Sequence, residues 1–148
     1  MTKTLLEIVN LKKTFNHNNG VINLFNNVNL KIKYGDLIAL VGPSGSGKST
    51  FLHLLALLDD PTKGKIILNK KDTKVLGEEE KDKIRREKIS IIFQENNLLS
   101  DFTAIENIIM PLIIKGEKKS ISVKKASKIM RDIGILSRSN HFPSELSG

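Results

Sequence analysis

Residues 36–50 read Asp36-Leu37-Ile38-Ala39-Leu40-Val41-Gly42-Pro43-Ser44-Gly45-Ser46-Gly47-Lys48-Ser49-Thr50, an apolar run that breaks into glycines, a lysine and two hydroxyls. The run 36–41 lacks polar alternation, as expected of a strand buried on both faces of a parallel sheet. Gly42 through Ser49 fits GxxxxGK(S/T) between that strand and a helix expected over 48–58, on which Leu52, Leu55 and Ala56 fall at helical spacing. Glycines let such a loop wrap closely, so that successive N–H groups point at phosphate oxygens, and the helix N-terminus behind them adds about half a positive charge. Lys48 is expected on the β- and γ-phosphates and Ser49 on Mg²⁺, with Thr50 closing the cradle. The alternative is a glycine-rich turn that binds nothing; eight matching positions between a buried strand and a helix weigh against it.

Outward from this loop the pattern is strand-rich before it and mixed after it. Residues 5–11 and 28–32 alternate as strands around a turn-rich stretch, 16–20 (NHNNG), and suggest an antiparallel pair or edge sheet. Residues 60–64 (DPTKG) form a turn into a strand at 65–68, residues 78–88 a charged helix, and 89–93 (ISIIF) a second buried strand. Thr103 and Glu106 have capping-box spacing. Val123, Ala126, Met130 and Ile133 mark one apolar face of a helix that should stop at Gly134.

Composition narrows the chemistry. At 148 residues with 39% hydrophobic and 27% charged side chains, the chain has enough apolar content to fold, and it is too short on Gly and Pro for a fibrous or low-complexity segment. With no cysteine there is no disulfide scaffold, thiolate zinc site or cysteine nucleophile. His17, His53 and His141 stand in no metal-ligand pattern. The N-terminal stretch carries Glu7 inside its apolar run and does not read as a secretory signal. The run 108–114 (IIMPLII) is far shorter than the roughly 20 residues of a spanning helix.

The net charge of +8 is concentrated in residues 115–138, where Lys115, Lys118, Lys119, Lys124, Lys125, Lys128, Arg131 and Arg138 are opposed only by Glu117 and Asp132. No aromatics interleave them, which argues against a single-strand nucleic-acid platform. A solvated helix face and attraction to an anionic membrane surface both remain open.

Two other nucleotide-binding classes fit poorly. Asn69-Lys70-Lys71-Asp72 spells the guanine-reading NKxD, but it lies only 21 positions after Lys48 (69 − 48), and no Asp is followed by Gly three residues on, so it reads as a strand-end turn. Nothing marks the arginine-rich lid of a small-molecule kinase.

Downstream of 89–93 stand Gln94, Leu98-Leu99 and Thr103-Ala104-Ile105-Glu106-Asn107, and Glu145-Leu146-Ser147-Gly148 follow at the end. From about Leu5 to Gly148 this constellation resembles the ATP-binding cassette (ABC) transporter family. The resemblance implies an α/β P-loop nucleotide-binding domain with an N-terminal antiparallel β-region and a helical subdomain, divided as residues 1–93 and 94–148. It implies ATP and Mg²⁺ as cofactors, with Lys48 and Gln94 as catalytic residues and Ser49 and Gln94 at the metal. Gln94, otherwise a polar residue at a strand end, would sense Mg²⁺ and the attacking water beside a transmembrane partner. Ser147 and Gly148 would begin the LSGGQ signature, which closes over ATP held by a second copy of the ATPase. Phe15 matches the adenine-stacking aromatic, where Tyr is more usual; the alternative is a core Phe. Asn107 reads as ordering the first turn of its helix.

Within the family, HLLALLDDPTKGKI, NNLLSDFTAIENIIMPLII and RSNHFPSELSG are most similar to the lipoprotein-releasing branch. The expected role is therefore an ATP-binding subunit, peripheral on the cytoplasmic face of the inner membrane. It would touch the membrane through integral transporter subunits and bind no nucleic acid. Related macrolide or peptide exporters and cell-division cassettes are the nearest alternatives. The family's later motifs are the Mg²⁺-holding Asp, the catalytic Glu and the switch His, and none is found among these residues. The expectation is a front portion that binds phosphate without useful turnover, exposes the apolar strand 36–41, and belongs to a truncated or split ATPase. A non-catalytic regulatory module docking through residues 94–115, or a phosphate-loop enzyme of another class, would be the other readings.

Overall fold

The structure is a computed structural model and describes residues 3–17 and 20–146. It forms two compact units, Met1–Arg85 and Arg86–Gly148.

In the first unit, β1 (Thr4–His17) and β2 (Gly20–Lys33) form a long antiparallel hairpin, paired from Thr4 with Lys33 to His17 with Gly20. Helix α1 (Lys48–Leu55) follows, then β3 (Lys63–Leu68) and β4 (Lys71–Asp72), giving the sheet order β2-β1-β3-β4 with every pairing antiparallel. The first strand thus runs through the sheet interior and not along an edge. Leu6 and Ile8 of β1 point inward by simple alternation, and a register shift between Ile8 and Leu11 brings Leu11 and Lys13 to the same side. Leu6, Ile8 and Leu11 pack with Ile66 of β3 and with Phe51 and Leu54 of α1, and Phe25 meets Phe51 edge to face with ring centroids 5.6 Å apart.

Two close fits fix this sheet. Gly64 has φ +87°, and a Cβ there would lie 2.4 Å from the Asn10 carbonyl oxygen, so β3 approaches the β1 bulge only without a side chain. The turn at Asp59 and Asp60 is held by two buried lysines. The Lys13 ammonium donates to Asp59 Oδ1 at 2.7 Å and to the Asp60 carbonyl at 2.9 Å, while Lys81 donates to both Asp60 carboxylate oxygens and to Glu78, each at 3.0 Å. The bonds to Asp60 and then Glu78 hold the Lys81 pKa above the usual lysine value.

Several expectations are corrected. Residues 36–41 and 89–93 are not strands: among the described residues none pairs with either segment. A buried parallel strand is made by its neighbours, and without them Leu37, Val41 and Ile92 are 101%, 85% and 99% exposed. The expected exposure of the 36–41 run is therefore found. Helix α1 ends at Leu55 rather than residue 58, because Leu57 turns to φ +58°; its buried face is Phe51 and Leu54, leaving Leu52 exposed. The Asn69-Lys70 pair is a left-handed turn, with φ +48° and +67°, joining β3 to β4 as expected.

Helix α2 (Glu78–Lys88) runs across the boundary between the units, and in the second unit irregular chain leads to α3 (Ala104–Ile114) and α4 (Lys119–Asp132), which pack on each other. The expected box forms at α3: the Thr103 N–H donates to Glu106 Oε2 at 2.9 Å, and the Thr103 hydroxyl donates to the same oxygen at 2.8 Å. These bonds, the backbone one first, hold the Glu106 carboxyl below the usual carboxylate range. On α4 the buried stripe is Ser122, Ala126 and Met130, two small residues followed by a fully buried methionine, whereas Ile133 is exposed. The helix stops before Gly134, whose φ of +78° lets the Ile135 N–H return to the Met130 carbonyl at 2.8 Å.

Candidate functional site

The glycine loop bridges residue 41 to the first turn of α1. Gly47 is the N-cap, at φ +89°, and a Cβ on it would sit 2.7 Å from the Leu24 side chain of β2. The β1–β2 hairpin therefore presses against the start of the helix, and only glycine fits between them. A backbone bond from the Phe51 N–H to the Gly47 carbonyl, 2.8 Å, begins α1, leaving the N–H groups of its first turn directed out of the helix end.

Lys48 reaches back from that turn across the loop. Its ammonium donates to the Gly42 carbonyl at 2.9 Å and the Pro43 carbonyl at 2.7 Å. Ser46 turns its N–H to the Pro43 carbonyl at 3.3 Å, while Ser44 and Gly45 form the exposed crest. Ser49 is exposed and Thr50 half-buried, and neither hydroxyl is hydrogen-bonded among the described residues. The donor set at this helix end is thus backbone N–H groups, one ammonium and free hydroxyls. That combination suits a polyphosphate carrying a hard divalent cation, since the hydroxyl oxygens can join the shell that Mg²⁺ prefers. Beside the loop lies a cavity of about 310 Å³ whose walls include the apolar Phe25, Val28, Leu40 and Phe51.

Phe15, near the end of β1, is 41% exposed and so is not a core residue. The Lys13 ammonium stands 5.0 Å from its ring centroid. Sequence reasoning missed Lys13, because its inward place comes from the register shift after Ile8 and not from the alternation of β1.

Gln94 lies in the second unit, exposed, in a bend after the irregular segment. Asn107 stitches the approach to α3. Its amide nitrogen donates to the carbonyls of Leu99, Phe102 and Thr103 at 3.1, 2.9 and 3.0 Å, and its oxygen accepts the Leu99 N–H at 2.8 Å. It orders that turn, as its spacing suggested. Ser147 and Gly148 lie outside the described residues.

The family model described as ABC transporter matches residues 25–148, most of the chain. The chain belongs to the ABC transporter family. Two curated ABC relatives are similar along its whole length, both lipoprotein-releasing system ATP-binding proteins, LolD. The one from Hyphomonas neptunium is 40% identical over 148 residues and the one from Rickettsia bellii 38%, each match covering 100% of this chain and 65% of the relative. This chain thus spans a little under two-thirds of the length of those relatives. Among solved ABC structures, the dimeric cassette MJ0796 is 37% identical. In a post-hydrolysis state bound to ADP and Pi it matches with a TM-score of 0.87, covering 97% of this chain and 63% of that one. A second dimeric MJ0796 structure matches with a TM-score of 0.88, covering 97% and 64%. The fold is accordingly that of a P-loop ABC nucleotide-binding domain, of which this chain covers part. No described helix is long and apolar enough to cross a membrane.

Proposed function

We propose that this chain is the nucleotide-binding portion of an ABC ATPase that serves lipoprotein release. The observation that carries the reading is the Lys48 ammonium arched over a glycine loop at the N-terminus of α1, in a chain similar to LolD along its full length. In this reading Gly42, Ser44, Gly45, Ser46 and Gly47 wrap the β- and γ-phosphates of ATP with backbone N–H groups, while Pro43, which has no N–H to give, shapes the turn of the loop. Lys48 exchanges its two carbonyl partners for phosphate oxygens, Ser49 supplies a hydroxyl to Mg²⁺, and Thr50 adds a further donor. Phe15 offers an open aromatic face to adenine.

Gln94 would join the metal shell, and Ser147 and Gly148 would meet nucleotide held by a second copy, as in a dimeric cassette. Integral membrane subunits would place the protein peripherally on the cytoplasmic face of the inner membrane. Phosphoryl transfer to water also needs a positioned nucleophile and stabilisation of the developing charge. The residues named here supply the cradle and part of the metal shell, so the 148-residue chain is proposed to bind ATP without turning it over.

Calorimetric titration with Mg²⁺ and ATP tests the site. Lys48→Ala removes charge-assisted bonds and should weaken binding roughly 10- to 150-fold. Unchanged affinity in that variant, with its circular dichroism intact, would overturn the assignment of the loop.

A further inference from the structure

Most cations of α4 have no ion-pair partner among the described residues. Lys13, Lys31, Lys65, Lys71, Lys81 and Arg85 all sit in ion pairs. On α4 only Lys125 does, with Glu117. Lys124, Lys128 and Arg131 are exposed and make no ion pair or hydrogen bond among the described residues.

Their spacing, i, i+4 and i+7, lays the three on one stripe, opposite the buried stripe of Ser122, Ala126 and Met130. Ile121 and Ile129 lie on the flank between these stripes and are 44% and 54% exposed. Arg138, beyond the helix, lies 3.2 Å from the His141 ring.

An unpaired cationic stripe attracts polyanions in general. The flanking isoleucines discriminate among them: a nucleic-acid backbone has no use for exposed aliphatic side chains, whereas a bilayer interface takes them up while lysine stems lie along it with their ammonium groups among the headgroups. We propose that the outer face of α4 is a docking surface for an anionic phospholipid bilayer, with Lys124, Lys128 and Arg131 facing the headgroups and Ile121 and Ile129 entering their boundary. The surface is independent of the nucleotide site and adds a direct lipid contact to any made through membrane subunits.

The test is sedimentation of the 148-residue chain with vesicles of phosphatidylcholine alone or mixed equally with phosphatidylglycerol. Binding should require the anionic lipid and fall as salt is raised. Reversing all three charges (Lys124→Glu, Lys128→Glu, Arg131→Glu) should lower partitioning at least about a hundred-fold, because each basic residue near the surface contributes a several-fold factor. A second triple variant with the same net charge, Lys70→Glu, Lys74→Glu and Lys83→Glu, should retain most of the binding. The two variants are compared only after their helical circular dichroism is shown to match the parent. Equal binding to both vesicles, equal losses in both variants, or capture by duplex DNA without binding to anionic vesicles would each overturn the proposal.

Discussion

Gly64 shows how much one missing atom can matter. A Cβ there would fall 2.4 Å from a backbone oxygen of β1, at a φ that L side chains rarely adopt. Neither partner is a flexible tip that can swing aside. Gly64→Ala should cost about 3 kcal/mol, read as a lower urea midpoint at unchanged slope. Phe15 makes the opposite kind of statement, since its exposed ring contributes little to the core. Phe15→Ala should leave the urea midpoint nearly unchanged and weaken ATP binding roughly 5- to 150-fold, the usual range for losing one base–aromatic stack; Phe15→Tyr should restore it. A loss of stability matching the loss of affinity would place the ring in the core after all.

At the scale of elements, what could be read from sequence divides by the range of the forces involved. The box at Thr103 and Glu106 needs only residues three apart, and it forms where the spacing put it. The Asn69-Lys70 turn and the stop at Gly134 are local in the same way. Residues 36–41 and 89–93 carry equally clear apolar patterns, yet a parallel strand exists only beside another strand, and no described residues provide one. The buried faces of α1 and α4 were misassigned by a residue or so because periodicity fixes a stripe but not the neighbour it meets.

Two expected outcomes follow at this scale. Glu106 has its pKa lowered in the folded state, so its contribution is full above its unfolded value and disappears as pH falls through the folded one. The difference in urea midpoint between the parent and Glu106→Gln should therefore be largest near neutrality and shrink toward zero in acid. The second outcome concerns Leu37 and Val41, nearly bare on an unpaired apolar run. The double variant Leu37→Lys, Val41→Lys should lower light scattering on warming, because charge on an exposed apolar segment opposes association.

For the whole molecule, the phosphate loop could be singled out because its eight consecutive residues specify a mechanism by their own chemistry, although the strand expected before them is irregular chain. Gln94 was singled out only through the company of distant motifs, and it lies exposed in a bend of the second unit. Lys13 was invisible as a functional neighbour because its contacts, Asp59 and Asp60, lie 46 and 47 residues away. The proposed division between binding and turnover has a direct check. In a phosphate-release assay with Mg²⁺ and saturating ATP, the 148-residue chain should stay at background while calorimetry reports binding. Release that is abolished by Lys48→Ala would show that the cradle alone suffices.

The bare segment at residues 89–93 also decides how this chain would be digested. Proteases bind their substrates as unpaired backbone, and Phe93, half-exposed in irregular chain, already presents itself in that form. Brief treatment with chymotrypsin should cut there early and release a front fragment carrying the entire phosphate loop. Such a nick needs no global unfolding, so its rate should respond weakly to stabilising substitutions elsewhere in the sheet.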